Sequence, residues 1–308
     1  MPTASTESRN ALLAGIGCYF LWGFIPLTFQ AMAAAGAGPL EIMAHRMVWS
    51  VVFAAGLVLA ARQSRDLMQA LTNPRILGWL ILSALLIAVN WTTYVVAVNS
   101  HRTLDASLGY YLNPLLNMAA GAWLFREKIS RLGVVAIVLA GVGVTLQAFA
   151  LGHLPWISLL LAFSFCAYGV IRKRVEVGAL TGLLIETLIL TGPALAWIFW
   201  LTAHGQNHFG ETTSATLWLL AAGPITVIPM ALFAWAARRM PYSTMGFLQF
   251  LAPSIVFVIG VLQGEPLGWL RGVSFAFIWL GAVVFAVGAL IGARRLRQAE
   301  TVAPSEPG

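Results

Sequence analysis

Three ionisable side chains sit well inside long apolar runs of this 308-residue chain, and their types are those that hold ions or carry protons: His45, Arg46 and Glu186. A charge at the centre of a bilayer costs roughly 2.5–3.5 kcal/mol on insertion scales, so each needs a physical reason. Arg46 could hold an anionic group of a solute through its planar fork. Glu186 or His45 could carry a coupled proton, His45 because imidazole titrates near neutral pH. The opposing reading is that Arg46 snorkels to one membrane face and Glu186 to the other. His45-Arg46 fall near the outer third of their run and Glu186 near the inner third of its own, so a direct pair requires tilt or a central cavity. Glu41, at the mouth of the run that holds Arg46, reads as an interfacial residue.

The richest uncharged polar cluster holds Asn90, Asn99, Asn113 and Asn117 with Tyr94, Tyr110 and Tyr111. Tyr110, Asn113 and Asn117 follow one another at spacings of three and four, so they share one helix face. Amides and phenols on one stripe suit a small polar or zwitterionic solute with an apolar portion. Buried amides also hold membrane helices together, so interhelical bonding is the competing account. Trp22, Trp91, Tyr168 and Trp235 are candidates for aromatic walls, although most of the twelve tryptophans belong to interfacial belts and ordinary packing.

The elements that must position these groups come from a repeat. Tyr110-Tyr111-Leu112-Asn113-Pro114 leads into an apolar run ending at Glu127, and 139 residues later Gln249-Phe250-Leu251-Ala252-Pro253 leads into one ending at Glu265. Phe20-Leu21-Trp22-Gly23 and Cys166-Ala167-Tyr168-Gly169 form a second echo, offset by 146. Gln249 and Phe250 thus stand where Tyr110 and Tyr111 stand in the first unit. Pro114 and Pro253 lie within their runs, where proline removes a backbone bond and bends a helix. Bends at matching places point to a substrate pathway or, more plainly, to packing kinks. Glu127 and Glu265 end the matching runs, with Lys128 and Arg271 as the nearest ion-pair partners. Gly15, Gly17, Gly141 and Gly143 read as sites of close helix contact.

With 59% hydrophobic and only 9% charged residues, against about 25% charged in soluble proteins, lipid must be the main solvent. The apolar runs sort into segments at 10–34, 39–61, 76–98, 104–124, 131–150, 154–172, 181–203, 215–237, 243–263 and 270–292. Each is near the length of about 20 residues that spans the hydrocarbon core as a helix. The reading is therefore an all-α polytopic membrane protein of ten transmembrane helices, arranged as two inverted five-helix repeats. The first covers 1–150, with an N-terminal tail 1–9, and the second 151–298, followed by a disordered tail 299–308. Five spans per unit is odd, so the copies face opposite ways. With the N-terminus in the cytoplasm, fifteen of the eighteen Lys and Arg fall inside, Arg102 and Arg271 outside, and Arg46 within a span. That is the positive-inside signature with both termini cytoplasmic. The net charge of +7 reflects topology and not a nucleic-acid partner.

Cys18 and Cys166 each lie inside a predicted span, which leaves no disulfide framework and no Cys-based metal site. The small residues Ala33-Ala34-Ala35 imitate a signal cleavage site, but the apolar run before them is too long and Trp22-Gly23 recurs in the second half. No phosphate loop, HExxH or Cys/His ligand spacing occurs, so no cofactor is expected. Asp66 and Asp105 are the only aspartates and are not paired within spans, so an intramembrane enzyme is a minor alternative. A non-transporting scaffold or receptor is another.

Across Tyr19–Pro26 (YFLWGFIP), Ala44–Ser50 (AHRMVWS), Asn90-Trp91, Ala106–Asn117 (ASLGYYLNPLLN), Leu161–Lys173 (LAFSFCAYGVIRK), Thr181–Thr187 (TGLLIET), Gly246–Ser254 (GFLQFLAPS) and Phe275–Trp279 (FAFIW), the chain resembles the EamA-type drug/metabolite transporters. The likeness extends to the RarD branch, the chloramphenicol-sensitive-protein-like permeases. Phe250 departs from that branch, which usually has tyrosine there. The resemblance implies an inner-membrane permease that exports small metabolites or amphipathic drugs by alternating access. It also implies a gating or structural role for Glu127 and Glu265. Coupling ion, substrate and oligomeric state remain open on this reading.

Overall fold

The computed structural model describes residues 4–99, 103–151, 156–263 and 268–302. Among them the chain forms twelve helices and no strand. In order these are α1 (Ala4–Ala34), α2 (Pro39–Ala60), α3 (Ser64–Thr72), α4 (Pro74–Asn99), α5 (Thr103–Leu124) and α6 (Arg131–Leu151). They continue as α7 (Trp156–Arg174), α8 (Ala179–Ala203), α9 (Thr213–Ala237), α10 (Tyr242–Leu248), α11 (Leu251–Leu262) and α12 (Trp269–Val302). Seven stretches are long and apolar enough to cross a membrane: Thr6–Ala34, Pro39–Ala60, Pro74–Tyr94, Trp156–Arg174, Ala179–Ala203, Thr213–Ala237 and Tyr242–Ile259. Their outward faces carry Leu13, Phe20, Phe163, Phe199 and Leu217, an apolar exterior that only lipid can solvate.

Local chemistry sets the helix boundaries. Pro39 and Pro74 begin α2 and α4, where a missing N–H costs nothing. Thr212 caps α9 by accepting from the Ala215 amide at 3.1 Å. Pro114 lies inside α5 without ending it. Its counterpart acts differently: Pro253 sits in the first turn of α11, and the helix before it breaks at the turn residues Gln249-Phe250. A proline there has no N–H for the Gln249 carbonyl, so the run 243–263 becomes two helices where one was expected.

Three further expectations change. Residues 64–72, read as a link, form the short helix α3, whose Leu67 and Ala70 pack on Ile171, Val175 and Val177. Residues 4–9 belong to α1 and 299–302 to α12, so neither terminal stretch is wholly a tail, and 303–308 lie outside the described residues. Of the four glycines read as contact points, Gly15 and Gly143 press on a neighbour, Gly17 makes only ordinary contact, and Gly141 faces open space. A Cβ on Gly143 would lie 2.6 Å from the Ser274 carbonyl oxygen, and one on Gly281 would lie 2.8 Å from that of Ala136. These two glycines are what let α6 and α12 approach backbone to backbone.

The interior is built by helix pairs. α2 packs on α8 and α9, α1 on α9 and α11, α4 on α7 and α8, α5 on α7 and α10, and α6 on α12. An aromatic plug of Tyr19, Trp22, Phe165, Tyr168 and Phe233 lies where α1, α7 and α9 meet.

Candidate functional site

Arg46 projects from α2 into the protein and not toward either face, with only 6% of its surface exposed. Its Nε donates to the Thr226 hydroxyl of α9 at 2.9 Å, and Nη1 lies 3.3 Å from Met43 Sδ. The guanidinium lies over the Trp91 ring at 4.9 Å and the Phe29 ring at 5.1 Å. Tyr94 and Tyr110, packed edge to face at 5.6 Å, are within electrostatic reach of it. Four helices and the α5 stripe thus converge on one cation. Snorkelling does not describe this residue.

Deeper along α5 the stripe continues. Asn117 Nδ2 donates to Gln249 Oε1 at 2.6 Å, across the break between α10 and α11. Asn113 is fully buried, yet neither its Nδ2 nor its Oδ1 has a hydrogen-bond partner among the described residues, and Asn117 Oδ1 also lacks one. Buried amides are rarely left so, which marks this stretch as a place for another polar group. Tyr111 and Phe250 instead belong to an apolar cluster with Leu108, Met118 and Phe275, and the Tyr111 hydroxyl lies 3.5 Å from the Pro253 carbonyl. Asn90 donates to the Leu161 carbonyl at 2.7 Å and to Ser164 at 3.0 Å, so it fastens α4 to α7. Trp22 and Tyr168 stand in the aromatic plug, and Trp235 stacks with Arg239 at 4.4 Å.

Glu186 is not paired with Arg46. Its carboxylate accepts from the Ser83 hydroxyl of α4, lies 3.5 Å from the Tyr168 hydroxyl, and pairs with Arg172 at 3.6 Å. Arg172 in turn donates to the Ala179 carbonyl at 2.9 Å. This buried pair closes the basic end of the bundle, where Arg238 also donates to the Val177 carbonyl. Burial, and then the neighbouring Arg172, push the Arg238 pKa below its ordinary value.

Glu127 does not pair with Lys128. Its carboxylate accepts from the Tyr242 amide (2.6 Å), the Ser243 amide (2.9 Å) and the Ser243 hydroxyl (2.7 Å), capping the start of α10. Lys173 approaches it at 3.8 Å while donating to the Ala237 and Met240 carbonyls at the end of α9. One ion pair therefore ties α5, α7, α9 and α10. Glu265 and the side chains of Asn99 and Arg271 lie outside the described residues.

At the opposite end, Glu41 lies in the first turn of α2 and is buried by protein, not left exposed at its mouth. It accepts from the His208 amide at 2.6 Å and lies 2.8 Å from His208 Nδ1, clasping the α8–α9 connection onto α2. His45 stacks on Phe209 at 5.0 Å, with Nε2 3.4 Å from Asn207 Oδ1. The reading from residues missed Phe29, Thr226, Ser83, Arg172, Lys173 and His208. Arg172 and Lys173 were hidden in a basic run that reads as surface charge, and the hydroxyls carry no sequence signal of depth. No group of three or more metal-ligating side chains gathers among the described residues.

The EamA-like transporter family model matches residues 9–149. The uncharacterized transporter PA0485 of Pseudomonas aeruginosa is 42% identical over 298 residues, 96% of this chain and 99% of that one. Protein RarD of Streptomyces exfoliatus is 41% identical over 98% of this chain and 96% of its own. The chloramphenicol-sensitive protein RarD of Pseudomonas aeruginosa is 30% identical over 80% and 83%. A crystal structure sharing 20% identity superposes with a TM-score of 0.67 over 94% of this chain and 99% of that one, a likeness of fold alone.

Proposed function

The chain belongs to the EamA-like transporter family, among its RarD-type members, and from that premise we propose a secondary transporter of the cytoplasmic membrane that exports small amphipathic metabolites or drugs. Ten crossings form two inverted five-helix units, 1–150 and 151–298, with both termini cytoplasmic. The units rock about a central site to give alternating access. Cargo binds between Arg46, Trp91, Tyr94 and Tyr110 at one level and Asn113, Asn117 and Gln249 at the next. Coupling to protons runs through Glu186 or His45.

The observation that carries this reading is the reciprocity of the packing. α1 lies on α9 as α7 lies on α4, α1 on α11 as α7 on α5, and α2 on α9 as α8 on α4. Of the other contacts, α2 with α8, α6 with α12 and α5 with α10 join each helix to its own counterpart. An internal two-fold relation generates such a set, and a scaffold has no need of one.

Purified protein in liposomes, screened against labelled amino acids and amphipathic drugs with and without a pH gradient, tests transport. Uptake equal to empty liposomes for every solute would favour a scaffold or receptor. Reporter fusions at residue 308 and in the 204–214 connection should label the inside and the outside, and a shared compartment would overturn the inversion.

A further inference from the structure

Among the described residues, no carboxylate pairs with the cationic centre of the site. Arg46 is the group most costly to leave buried and unpaired, yet no ion pair reaches it among the described residues. Among the described residues, the buried carboxylates Glu186 and Glu41 are engaged with Arg172 and His208, and the half-buried Glu127 with Lys173 and the start of α10. What surrounds Arg46 is donor-rich or apolar. Thr226 donates its own proton to the Ala222 carbonyl at 2.7 Å and accepts from Nε, and the sulfur of Met43 is a weak acceptor for Nη1. No acceptor meets Nη2 among the described residues. The hydroxyls of Tyr94 and Tyr110 have no hydrogen-bond partner there either, and a phenol is chiefly useful to an anion as a donor. Trp91 and Phe29 cover the faces of the guanidinium, so its free edge is what remains for a ligand.

From this arrangement we infer that the cargo is an organic anion, bound through a carboxylate on the free edge of Arg46 with its apolar portion against Trp91 and Tyr110. The inference rests on the transporter reading of the same site and adds the sign of the charge. An ammonium would meet a cation without an acceptor, and a neutral amide would leave the guanidinium uncompensated. A carboxylate supplies the missing charge and two acceptors to match the fork and the phenols. Docking of the anion also removes an unpaired charge from the interior.

The test uses the full-length protein in nanodiscs and three near-isosteric probes: 3-phenylpropionate, 3-phenylpropionamide and 3-phenylpropylamine. Binding is read from tryptophan fluorescence and the shift in melting temperature. The acid should bind at least about tenfold more tightly than the amide or the amine, a difference of about 1.4 kcal/mol. Arg46→Gln should bring acid and amide to equal affinity, and Arg46→Lys should lose most of the preference although the charge is kept. Equal or tighter binding of the amide or amine by the wild type overturns the inference, and that comparison depends on no variant. So does an acid preference that survives Arg46→Gln, or the failure of the acid to bind at millimolar concentration. Counterflow in liposomes separates this from the transporter reading. Flux of neutral or cationic solutes alone sinks the anion and leaves transport standing, whereas acid binding without flux of any solute does the reverse.

Discussion

Consider replacing Arg172 with methionine, which keeps much of the stem and removes the charge. Arg172 and Glu186 have side chains 1% and 3% exposed and lie 3.6 Å apart, so neither charge has water to fall back on. Without the guanidinium, Glu186 retains the Ser83 and Tyr168 hydroxyls, which solvate but do not neutralise it. Breaking one side of such a pair costs about 3–5 kcal/mol, mostly as the penalty of the charge left behind. The double variant Arg172→Met/Glu186→Gln removes both charges and should recover to within about 1–2 kcal/mol of the parent, since buried pairs are often nearly neutral overall. The assay is a double-mutant cycle by unfolding in mixed micelles, which isolates a coupling energy expected at about 2 kcal/mol or more. Glu186→Gln also keeps hydrogen bonding but cannot cycle a proton. In liposomes it should abolish gradient-driven flux while counterflow exchange persists. Additive losses below about 1 kcal/mol in both single variants would refute the buried-pair argument. Wild-type gradient-driven flux in Glu186→Gln, at equal abundance, would remove this residue from coupling.

Glu127→Gln should loosen the basic end, because it weakens a charged cap on two amides and a hydroxyl; hydrogen bonds to charged groups contribute about 1.5–3 kcal/mol each. Faster exchange of the amides of 242–246 would report it, and unchanged exchange would deny that Glu127 holds α10. Glu41→Ala should release the 204–212 connection, seen as rapid hydrogen exchange there with the helices unaffected; an unaltered connection would mean the clasp to His208 contributes little. Gly143→Leu should cost at least about 1–3 kcal/mol through overpacking of α6 on α12, whereas Gly141→Leu, which faces open space, should be near neutral. Equal effects of the two on melting temperature would contradict the packing described.

The membrane class, the helical content and the family were legible from residues alone. Each depends on quantities that local sequence carries: run length against bilayer thickness, the sidedness of Lys and Arg, and motifs such as YFLWGFIP and GYYLNPLLN. The stripe of Tyr110, Asn113 and Asn117 was likewise visible, because helical spacing places residues on a face without reference to any neighbour. What faces that stripe was not. Gln249 meets Asn117 only because the chain breaks ahead of Pro253, and the same residue type at Pro114 leaves its helix continuous. Charge pairing was the least legible of all. Glu186 finds Arg172 and not Arg46, Glu127 finds Lys173 and not the adjacent Lys128, and Glu41 finds His208 across 167 positions. Partners of that kind are chosen by which helices touch and at what depth. An ion pair in a low-dielectric interior depends on ångströms in three dimensions, and the sequence distance between its members carries no information about them.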